Sequence, residues 1–584
     1  MSKDEKKNLP AYASDDLSRT FLAAAARLTG GLSPNAFGGA WLNILANLAV
    51  SPGRQARLVK SALQKSMSLA QFAGNALTSD GVAPETQDPA YAKRFSDAAW
   101  GHFPYNVLAQ TFLTASEWAR DSVRGIPGAS AAAENIAAFT VREGLELLAP
   151  DNFLLANPQL IDQTREEYGR NLLRGAKHFA VDVKRTLQGV GPVGVEKFEL
   201  GVDVAATPGK VILRNRLMEL IQYSPQTSKV YAEPILMVPA WIMKYYILDL
   251  AGPHSMVNYL TGLGHTVFMI SWKNPTAEDR DLTMDDYLTL GVKSAIDAVS
   301  AVVPRRKIHA VGYCIGGTLL SIAAAELAAR DDERLASMTI FAGQTDFSEP
   351  GELSVFISPA QLAMLEAMMW KKGVLESKQM GGAFQMLRTH DLLWGPSIDS
   401  YIRGKRTLPN DLMAWNADGT RMAHRMHTDY LHQLYLNNDL AEGRYVANGE
   451  QISLSDITIP MFVVGTETDH VAPWRSVYKI GRLARSTDYT FCLTSGGHNA
   501  GIISGPQHPR RRHRIHTTRP GDRLLSPDKY MSTVEPSQGS WWPTWAEWLK
   551  AHSSKTLVNK PAMGAPRKGY KPLGPAPGRY VLQK

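Results

Sequence analysis

The stretch "KIHAVGYCIGGTLLSIAAAELAAR", residues 307–330, decides the fold class of this chain. It passes from an apolar run into a glycine-rich turn and then into an alanine-rich helix. The turn fits the nucleophile-elbow pattern G-x-S-x-G, with Cys314 in place of serine between Gly312 and Gly316. An elbow is a strained turn, so the residues two before and two after the nucleophile must be nearly free of side chain. The pattern predicts a strand, an elbow and a helix; the alternative is a small cysteine packed under a tight turn.

A cysteine at this position is suited to nucleophilic attack. The start of the following helix places the thiol where the helix dipole favours thiolate. The backbone N–H of Ile315 would then point into an oxyanion hole. The chain has only two cysteines, and the other, Cys492, lies inside an apolar run that predicts inert packing. We therefore predict that Cys314 is a nucleophile.

A nucleophilic thiol needs a base and a group that orients the base. In α/β-hydrolases the chain order is nucleophile, acid, histidine. "MFVVGTETDHVAPW" places Asp469 just after an apolar run, and "YTFCLTSGGHNAG" places His498 just after the next one. We predict that His498 is the base and Asp469 its orienting acid. Asp346, in "FAGQTDF", is the alternative acid, and His470 is predicted to be structural.

Composition sets the limits on the class of protein. A chain of 584 residues is long enough for two or three domains, and two cysteines cannot build a disulfide framework, which favours a reducing cytosol. The N-terminus lacks an apolar signal segment, and no apolar run approaches the length of a membrane span. The net charge of +8 is concentrated in "PRRRHRIHTTRP" (509–520) and in the last 30 residues. We therefore predict a solvated loop and tail rather than a nucleic-acid-binding domain, with attraction of an anionic ligand as the alternative.

The pattern along the chain predicts three parts. Residues 1–200 read as a mainly helical N-terminal domain, within which 1–75 is a variable segment. Residues 201–555 alternate apolar runs with helices, which predicts a mostly parallel sheet covered on both faces. The alternation breaks at about 347–456, which predicts an inserted cap or lid. Residues 556–584 read as a basic, Pro/Gly-rich tail, and its final stretch "KPLGPAPGRYVLQK" (571–584) is predicted to be extended or loosely held.

Several sequence motifs resemble, in content and in their order along the chain, those of polyhydroxyalkanoate (poly-3-hydroxybutyrate) synthases of the single-polypeptide, class I-like type. The family's G-x-C-x-G-G box is present at 312–317, and its G-x-x-x-D-H-x-x-P-W segment at 465–474. The other matches are "LAPDNFLLANPQ" (148–159), "KYYILDL" (244–250), "GHTVFMISWKNP" (264–275), "AWNADGT" (414–420), "YLNNDL" (435–440), "SGGHNAGIISGP" and "GSWWPTWAEWL" (539–549). The resemblance runs from about residue 86 to the end.

One segment departs from the family pattern. The family usually has Pro-Pro-x-Ile-Asn-Lys after the third core strand, whereas this chain has "PAWIMK" at 239–244. That region normally supplies the second oxyanion donor. A backbone N–H near Trp241 or Ile242 could still serve, since it needs no particular side chain. The aromatic run "SWWPTWAEWLK" is predicted to be core.

The resemblance implies an α/β-hydrolase fold with an inserted cap and a definite activity. The enzyme would be an acyltransferase that polymerises (R)-3-hydroxyacyl-CoA into polyhydroxyalkanoate and releases CoA, through Cys314, His498 and Asp469 and an acyl-cysteine intermediate. The resemblance also implies that Asp469 activates the attacking hydroxyl, as the corresponding aspartate is held to do in the family. Tyr435 and Trp415 lie in matching cap segments, with either a substrate role or core packing. No cofactor is expected, because CoA is part of the substrate.

The resemblance also implies a setting for the enzyme. We expect a cytoplasmic protein at the surface of polyester storage granules, as a homodimer, with residues 1–75 serving dimer or granule contacts. It implies no nucleic-acid partner and no membrane span. Two alternatives stay open: a cysteine-dependent acyl-CoA thioesterase or ester hydrolase of the same fold, and a catalytically silent granule-surface protein.

Overall fold

The computed structural model describes residues 16–79 and 81–584, and its centre is a mixed sheet of eleven strands. In chain order the strands are β1 (Gly209–Arg214), β2 (Met218–Tyr223), β3 (Ile235–Val238), β4 (Val267–Trp272), β5 (Ile308–Tyr313), β6 (Leu335–Phe341), β7 (Met461–Thr466), β8 (Tyr489–Thr494), β9 (Arg512–Thr518), β10 (Ser537–Gln538) and β11 (Gly574–Pro575). Their spatial order is β10-β9-β8-β7-β6-β5-β3-β4-β2-β1-β11.

Strands β3 to β8 form the parallel centre of the sheet, and β1 and β2 form an antiparallel hairpin at one side. Every residue of β3, β4, β5, β7 and β8 is buried, as expected of strands covered on both faces. The apolar runs in the sequence predicted the parallel part of this sheet. The carboxyl ends of β7 and β8 are therefore adjacent, and that of β5 lies one strand away, at the same edge of the sheet. The candidate site residues come directly after these three strands in the chain.

Helices cover both faces of the sheet and form the N-terminal region. The labelled helices are α1 (Asp16–Leu28), α2 (Pro34–Ala49), α3 (Pro52–Thr78), α4 (Pro89–Arg94), α5 (Tyr105–Ser122), α6 (Ala131–Leu148), α7 (Pro158–Glu166), α8 (Arg170–Leu187), α9 (Met256–Gly262), α10 (Ser294–Val302), α11 (Ile315–Ala329), α12 (Pro359–Lys372), α13 (Ser377–Leu387), α14 (His424–Tyr430) and α15 (Trp542–Ala551). Shorter α-helices span Met284–Asp286, Gly395–Ser397, Asp411–Asn416, Trp474–Tyr478, Ile480–Leu483 and Pro527–Thr533, and π-helices span Tyr287–Lys293, His390–Trp394, Ile398–Ile402 and Leu431–Leu436.

The helical N-terminal region contacts the insertion between β6 and β7. Gln361 of α12 accepts a hydrogen bond from the Ser33 backbone N–H (2.8 Å) and donates one to the Gly31 carbonyl (2.6 Å). The Arg19 guanidinium lies 5.5 Å from the ring centre of Trp370 on the same helix. The first fifteen residues of the predicted variable segment 1–75 lie outside the described residues.

The insertion between β6 and β7 is built from short helices and turns, including α12, α13 and α14. Two small antiparallel pairs lie within it, Val374–Leu375 with Met422–Ala423 and Val446–Ala447 with Glu450–Gln451. A third pair joins Lys229–Val230 to Val558–Asn559. We call the segment 347–456 the cap, because it lies over the carboxyl end of β5 and encloses a cavity there.

One sequence-based prediction is wrong, and one of two alternatives for the C-terminus is excluded. The stretch 509–520 is not a loop: residues 512–518 form β9, which pairs with β8 through six aligned residues. The stretch 571–584 is not loosely held, because β11 pairs with β1 and the buried Glu219 carboxylate accepts backbone N–H groups of Arg579 (2.8 Å) and Tyr580 (2.9 Å). These contacts of the C-terminal stretch join residues more than 350 positions apart, and its proline-rich composition concealed them.

The aromatic run at 540–549 is core, as predicted. Trp541, Trp542 and Trp545 are fully buried against the sheet, and their indole N–H groups donate to Gly501, Ile502 and Thr339. Across residues 16–79 and 81–584, no helix combines the length and the apolar character needed to cross a lipid bilayer.

Candidate active site

The elbow joins β5 to α11 at Cys314. Cys314 has φ 55° and ψ −127°, a strained conformation for a residue with a side chain, and it lies immediately before the first residue of α11. A Cβ on Gly312 would lie 2.5 Å from the Gly317 Cα, and one on Gly316 would lie 2.2 Å from the Val238 carbonyl oxygen. The glycines are thus required because the backbone of α11 packs directly against the ends of β5 and β3.

His498 and Asp469 follow β8 and β7 and lie within hydrogen-bond distance of each other. The Nδ1 of His498 is 2.8 Å from Asp469 Oδ2, which leaves Nε2 as the nitrogen available to a thiol. Asp469 Oδ2 also accepts from the Thr466 hydroxyl (3.0 Å), and Oδ1 accepts from the backbone N–H groups of Val471 (2.9 Å) and Ala472 (2.8 Å). All the acceptor positions of the Asp469 side chain, which is fully buried, therefore face partners that hold it in place.

The electrostatics of the three groups are coupled. Burial opposes a positive charge on His498, but the charges of Asp469 and Cys314 and the hydrogen bond with Asp469 raise the pKa of His498 well above its ordinary 6.5. Burial also opposes ionisation of Asp469, whereas His498 and the two backbone N–H groups lower its pKa below the ordinary 3.8. A buried carboxylate held in this way favours the protonated form of the His498 imidazole.

The alternative acid and the neighbouring histidine lie elsewhere. Asp346 Oδ1 accepts from the Ser348 backbone N–H (2.8 Å), from the Ser348 hydroxyl (2.6 Å) and from the Asn438 amide (3.3 Å). Within the described residues no hydrogen bond joins Asp346 to His498, and none joins His470 to Cys314. Cys492 is fully buried in β8, and burial raises the pKa of its thiol.

Candidate oxyanion donors come from two backbones. The N–H of Ile315, the first residue of α11, has no hydrogen-bond acceptor among the described residues, so it is free to meet a developing negative charge. In "PAWIMK" the two predicted positions differ, because Ile242 lines the cavity at Cys314 whereas Trp241 does not. Trp241 is buried among Trp272 and Tyr287, and its indole N–H donates to the Met426 sulfur at 3.3 Å.

A cavity of about 630 Å³ opens from Cys314 and runs between the cap and the N-terminal region. The volume lies within the range of small-molecule sites. Its lining is mostly apolar and includes Phe347, Phe356, Met368, Leu375, Met380 and Met422. Residues 26, 27 and 30–32 close the far side, so the helical N-terminal region forms part of the wall. Among the described residues no group of three His, Cys, Asp or Glu side chains is placed to hold a metal ion.

Of the two cap aromatics singled out in the sequence, one lines the cavity. Tyr435 lies there, whereas Trp415 is buried in the core with its indole N–H donating to the Lys244 carbonyl at 2.7 Å. Tyr430, which no motif indicated, has its phenol oxygen 3.5 Å from that of Tyr435. Both tyrosines line the same cavity as Cys314, and burial is the main cause that raises the pKa of both phenols.

His427, in the same helix as Tyr430, also lines the cavity and was not predicted from the sequence. Tyr430 and His427 lie in the cap, where the chain has no periodic pattern that separates wall residues from packing residues. Only the position of the adjacent Tyr435 motif could have drawn attention to them.

Comparison with known proteins agrees with this geometry. A family model for the "Poly-beta-hydroxybutyrate polymerase (PhaC) N-terminus" matches residues 91–260, a second N-terminal model of this polymerase matches 13–54, and an α/β-hydrolase fold model matches 233–503. The chain is 38% identical to a poly(3-hydroxyalkanoate) polymerase of Methylorubrum extorquens over 509 residues, which cover 86% of this chain and 82% of that protein.

Two further relatives give the same picture. Identity is 35% to the poly(3-hydroxyalkanoate) polymerase subunit PhaC of Rhizobium etli, across 86% of this chain and 78% of the relative. It is 32% to the subunit of the same name from Cupriavidus necator, across 86% and 84%. With the elbow, the mixed sheet and the cap described above, the chain therefore belongs to the poly(3-hydroxyalkanoate) polymerase family, acyltransferases built on the α/β-hydrolase fold.

Proposed function

We propose that this chain polymerises (R)-3-hydroxyacyl-CoA thioesters into polyhydroxyalkanoate with release of CoA, through an acyl-Cys314 intermediate. The observation that carries the proposal is the hydrogen-bonded pair of His498 and Asp469 beside Cys314, which lines a mostly apolar cavity under the cap. The relatives named above are poly(3-hydroxyalkanoate) polymerases, and the alignments cover 78–84% of their length, which supports the same substrate class for this chain.

The first half-reaction loads the enzyme. His498 Nε2 takes the thiol proton, and the Cys314 sulfur attacks the thioester carbonyl, whose oxygen is met by the Ile315 N–H. The C–S bond to CoA breaks, and His498 returns its proton to the departing CoA thiolate. Exchange of one thioester for another is nearly balanced in energy, so a thiol is well suited to the step.

The second half-reaction forms the ester. The hydroxyl of another acyl unit gives its proton to His498 and attacks the acyl-Cys314 carbonyl, which displaces the thiolate, and His498 then reprotonates it. We assign this base role to His498 rather than to Asp469. Both oxygens of Asp469 already accept hydrogen bonds and its side chain is fully buried, whereas the His498 side chain is 11% exposed. No cofactor enters the cycle, since CoA is part of the substrate.

Exclusion of water is the condition that separates a polymerase from a thioesterase. The cap and residues 26, 27 and 30–32 cover part of the cavity, and its mostly apolar lining holds no carboxylate. If the cap keeps water away from the acyl-Cys314 thioester, a hydroxyl bound in the cavity attacks it in preference to water. A thioesterase of the same fold is the second candidate, and it differs in the product.

One assay tests the proposal and separates the alternatives. Purified protein is incubated with 3-hydroxybutyryl-CoA while CoA release and insoluble polymer are measured together. We expect both, and Cys314→Ala should abolish both, whereas Cys492→Ala, the matched change of the other cysteine, should leave CoA release intact. Free 3-hydroxybutyrate in place of polymer would identify a thioesterase, and no product with any hydroxyacyl-CoA would favour a silent granule protein.

We also propose that the enzyme works as a cytoplasmic homodimer at the surface of the polyester granule. The helical N-terminal region exposes large apolar side chains on α2 and α3, including Leu42, Leu45, Val59, Leu63 and Met67. Exposed apolar side chains grouped on neighbouring helices are typical of a surface that contacts another apolar surface. Sedimentation of the purified chain with and without nascent polymer tests both the dimer and the granule contact.

A further inference from the structure

The wall of the cavity contains a buried histidine with no hydrogen-bond partner. His427 is 3% exposed and lies on α14 of the cap. Among the described residues neither of its ring nitrogens has a partner. Nδ1 is completely enclosed, whereas Nε2 is not among the enclosed atoms, so Nε2 is the nitrogen that faces the open space of the cavity. A molecule in the cavity can supply a hydrogen-bond partner to Nε2, although not to the enclosed Nδ1.

The surroundings of His427 keep it neutral. Burial is the main cause, and the nearby His424 adds to it, so that the pKa of His427 falls to about 4. A neutral imidazole offers one N–H donor and one acceptor nitrogen, and it carries no charge that would attract phosphate. Its partner should therefore be an uncharged oxygen, such as a hydroxyl or an ester group.

The position of His427 places it where a bound acyl group would meet it. Tyr430 lies three residues further along α14, on the same face and one turn away, and both side chains line the cavity. His427 therefore belongs to the same wall as the tyrosine pair, in the cavity that also contains Cys314.

We propose that His427 binds, through Nε2, an uncharged oxygen of the acyl chain held in the cavity, and so selects oxygenated acyl chains over plain ones. Two sources share this chemistry: the 3-hydroxyl of a bound monomer and the ester oxygens of the growing chain. The inference rests on the proposed function, because it takes the cavity to be the acyl site. A mostly apolar wall binds unsubstituted fatty acyl groups well, so a polar contact from His427 would add discrimination in favour of an oxygenated chain.

The test compares substrates that differ only in the oxygen. For the monomer, initial CoA release is measured with 3-hydroxybutyryl-CoA and with butyryl-CoA. For the chain, elongation is measured after priming with the CoA thioester of a 3-hydroxybutyrate trimer and with lauroyl-CoA, which has the same backbone length. The variants are His427→Leu and His427→Met, which are apolar, and the matched control His427→Gln, whose amide reaches the region of Nε2.

We expect the apolar variants to lose the preference for the oxygenated member of one pair by roughly 5- to 30-fold, the value of one unpaired polar contact, while His427→Gln retains most of it. Loss in the monomer pair assigns the 3-hydroxyl, and loss in the primer pair assigns the ester. Equal decreases for both members of each pair would overturn the inference, since a merely structural role lowers all rates together.

Failure of the inference is distinguishable from failure of the proposed function. If wild-type protein makes polymer and the ratios are unchanged in the folded variants, only the role of His427 is wrong. If wild-type protein makes free acid, the proposed function is wrong, but the ratios of CoA release still test His427. If it releases CoA from neither substrate, both are wrong.

Discussion

Replacing Asp469 by asparagine tests the three-residue site most sharply, because the structure fixes how the new amide must lie. Two backbone N–H groups, from Val471 and Ala472, point at Oδ1. An amide nitrogen placed there would oppose two donors, so the amide oxygen must take that position and the NH₂ must face His498. The His498 Nδ1 then has to accept a hydrogen bond, which puts the proton on Nε2, where it cannot take one from Cys314.

The size of the effect follows from this change of tautomer. The equivalent change in a serine triad lowers kcat by about 10⁴, and a thiol depends less on its base, so we expect roughly a thousandfold loss in the rate of CoA release, or about 4 kcal/mol. KM should change little, because Asp469 does not line the cavity. The measurement is the initial rate with 3-hydroxybutyryl-CoA, with circular dichroism to confirm folding.

Asp346→Asn is the matched control. Asp346 accepts its hydrogen bonds from Ser348 and Asn438 and has no contact with His498. We therefore expect its rate to stay within about threefold of wild type, as for most substitutions away from reacting groups. Retention of more than a tenth of the activity by a folded Asp469→Asn protein would refute the reasoning, and so would an equal loss in Asp346→Asn.

Three further predictions concern the elbow, the C-terminus and pH. The Cβ of Gly316→Ala would lie 2.2 Å from the Val238 carbonyl oxygen, so this variant should lose about 1–3 kcal/mol of unfolding free energy in denaturant titration and most of its activity. The control Gly38→Ala, which has open space around it in α2, should be neutral or stabilising. Equal effects of the two substitutions would contradict the steric account. Removal of residues 574–584 leaves buried Glu219 without its two backbone donors, which should cost about 1–3 kcal/mol of unfolding free energy. The midpoint of thermal unfolding and the activity should therefore fall together. An unchanged midpoint would show that these residues contribute nothing to stability. Asp469 has a lowered pKa, so its stabilising contribution should be lost as pH falls below about 4, whereas His498 has a raised pKa, so its contribution should be lost as pH rises through that raised value. The difference in unfolding midpoint between wild type and Asp469→Asn should therefore be largest from about pH 4 to 6.5. A difference independent of pH would argue against the charged pair.

Much of the catalytic half of the molecule could be predicted from local sequence. The G-x-C-x-G pattern needs only neighbouring residues to specify an elbow, and the apolar runs of β5, β7 and β8 needed no partner to be recognised as strands. Because the carboxyl ends of parallel strands meet at one edge of a sheet, the order of Cys314, Asp469 and His498 along the chain already placed them near one another. The charge-rich run at 512–518 was misread, since its strand character depends on pairing with β8.

The sequence by itself determined the elbow, the sheet and the type of chemistry, because each depends on short-range pattern. Tertiary structure decided what surrounds that chemistry. It separated Asp469 from Asp346, set Trp241 in the core and Ile242 at the cavity, and brought Tyr430 and His427 to the wall beside Tyr435. It also joined residues 574–584 to β1. Contacts of this kind link residues hundreds of positions apart, and no local pattern encodes them, because they arise only when the cap and both ends of the chain pack around the sheet.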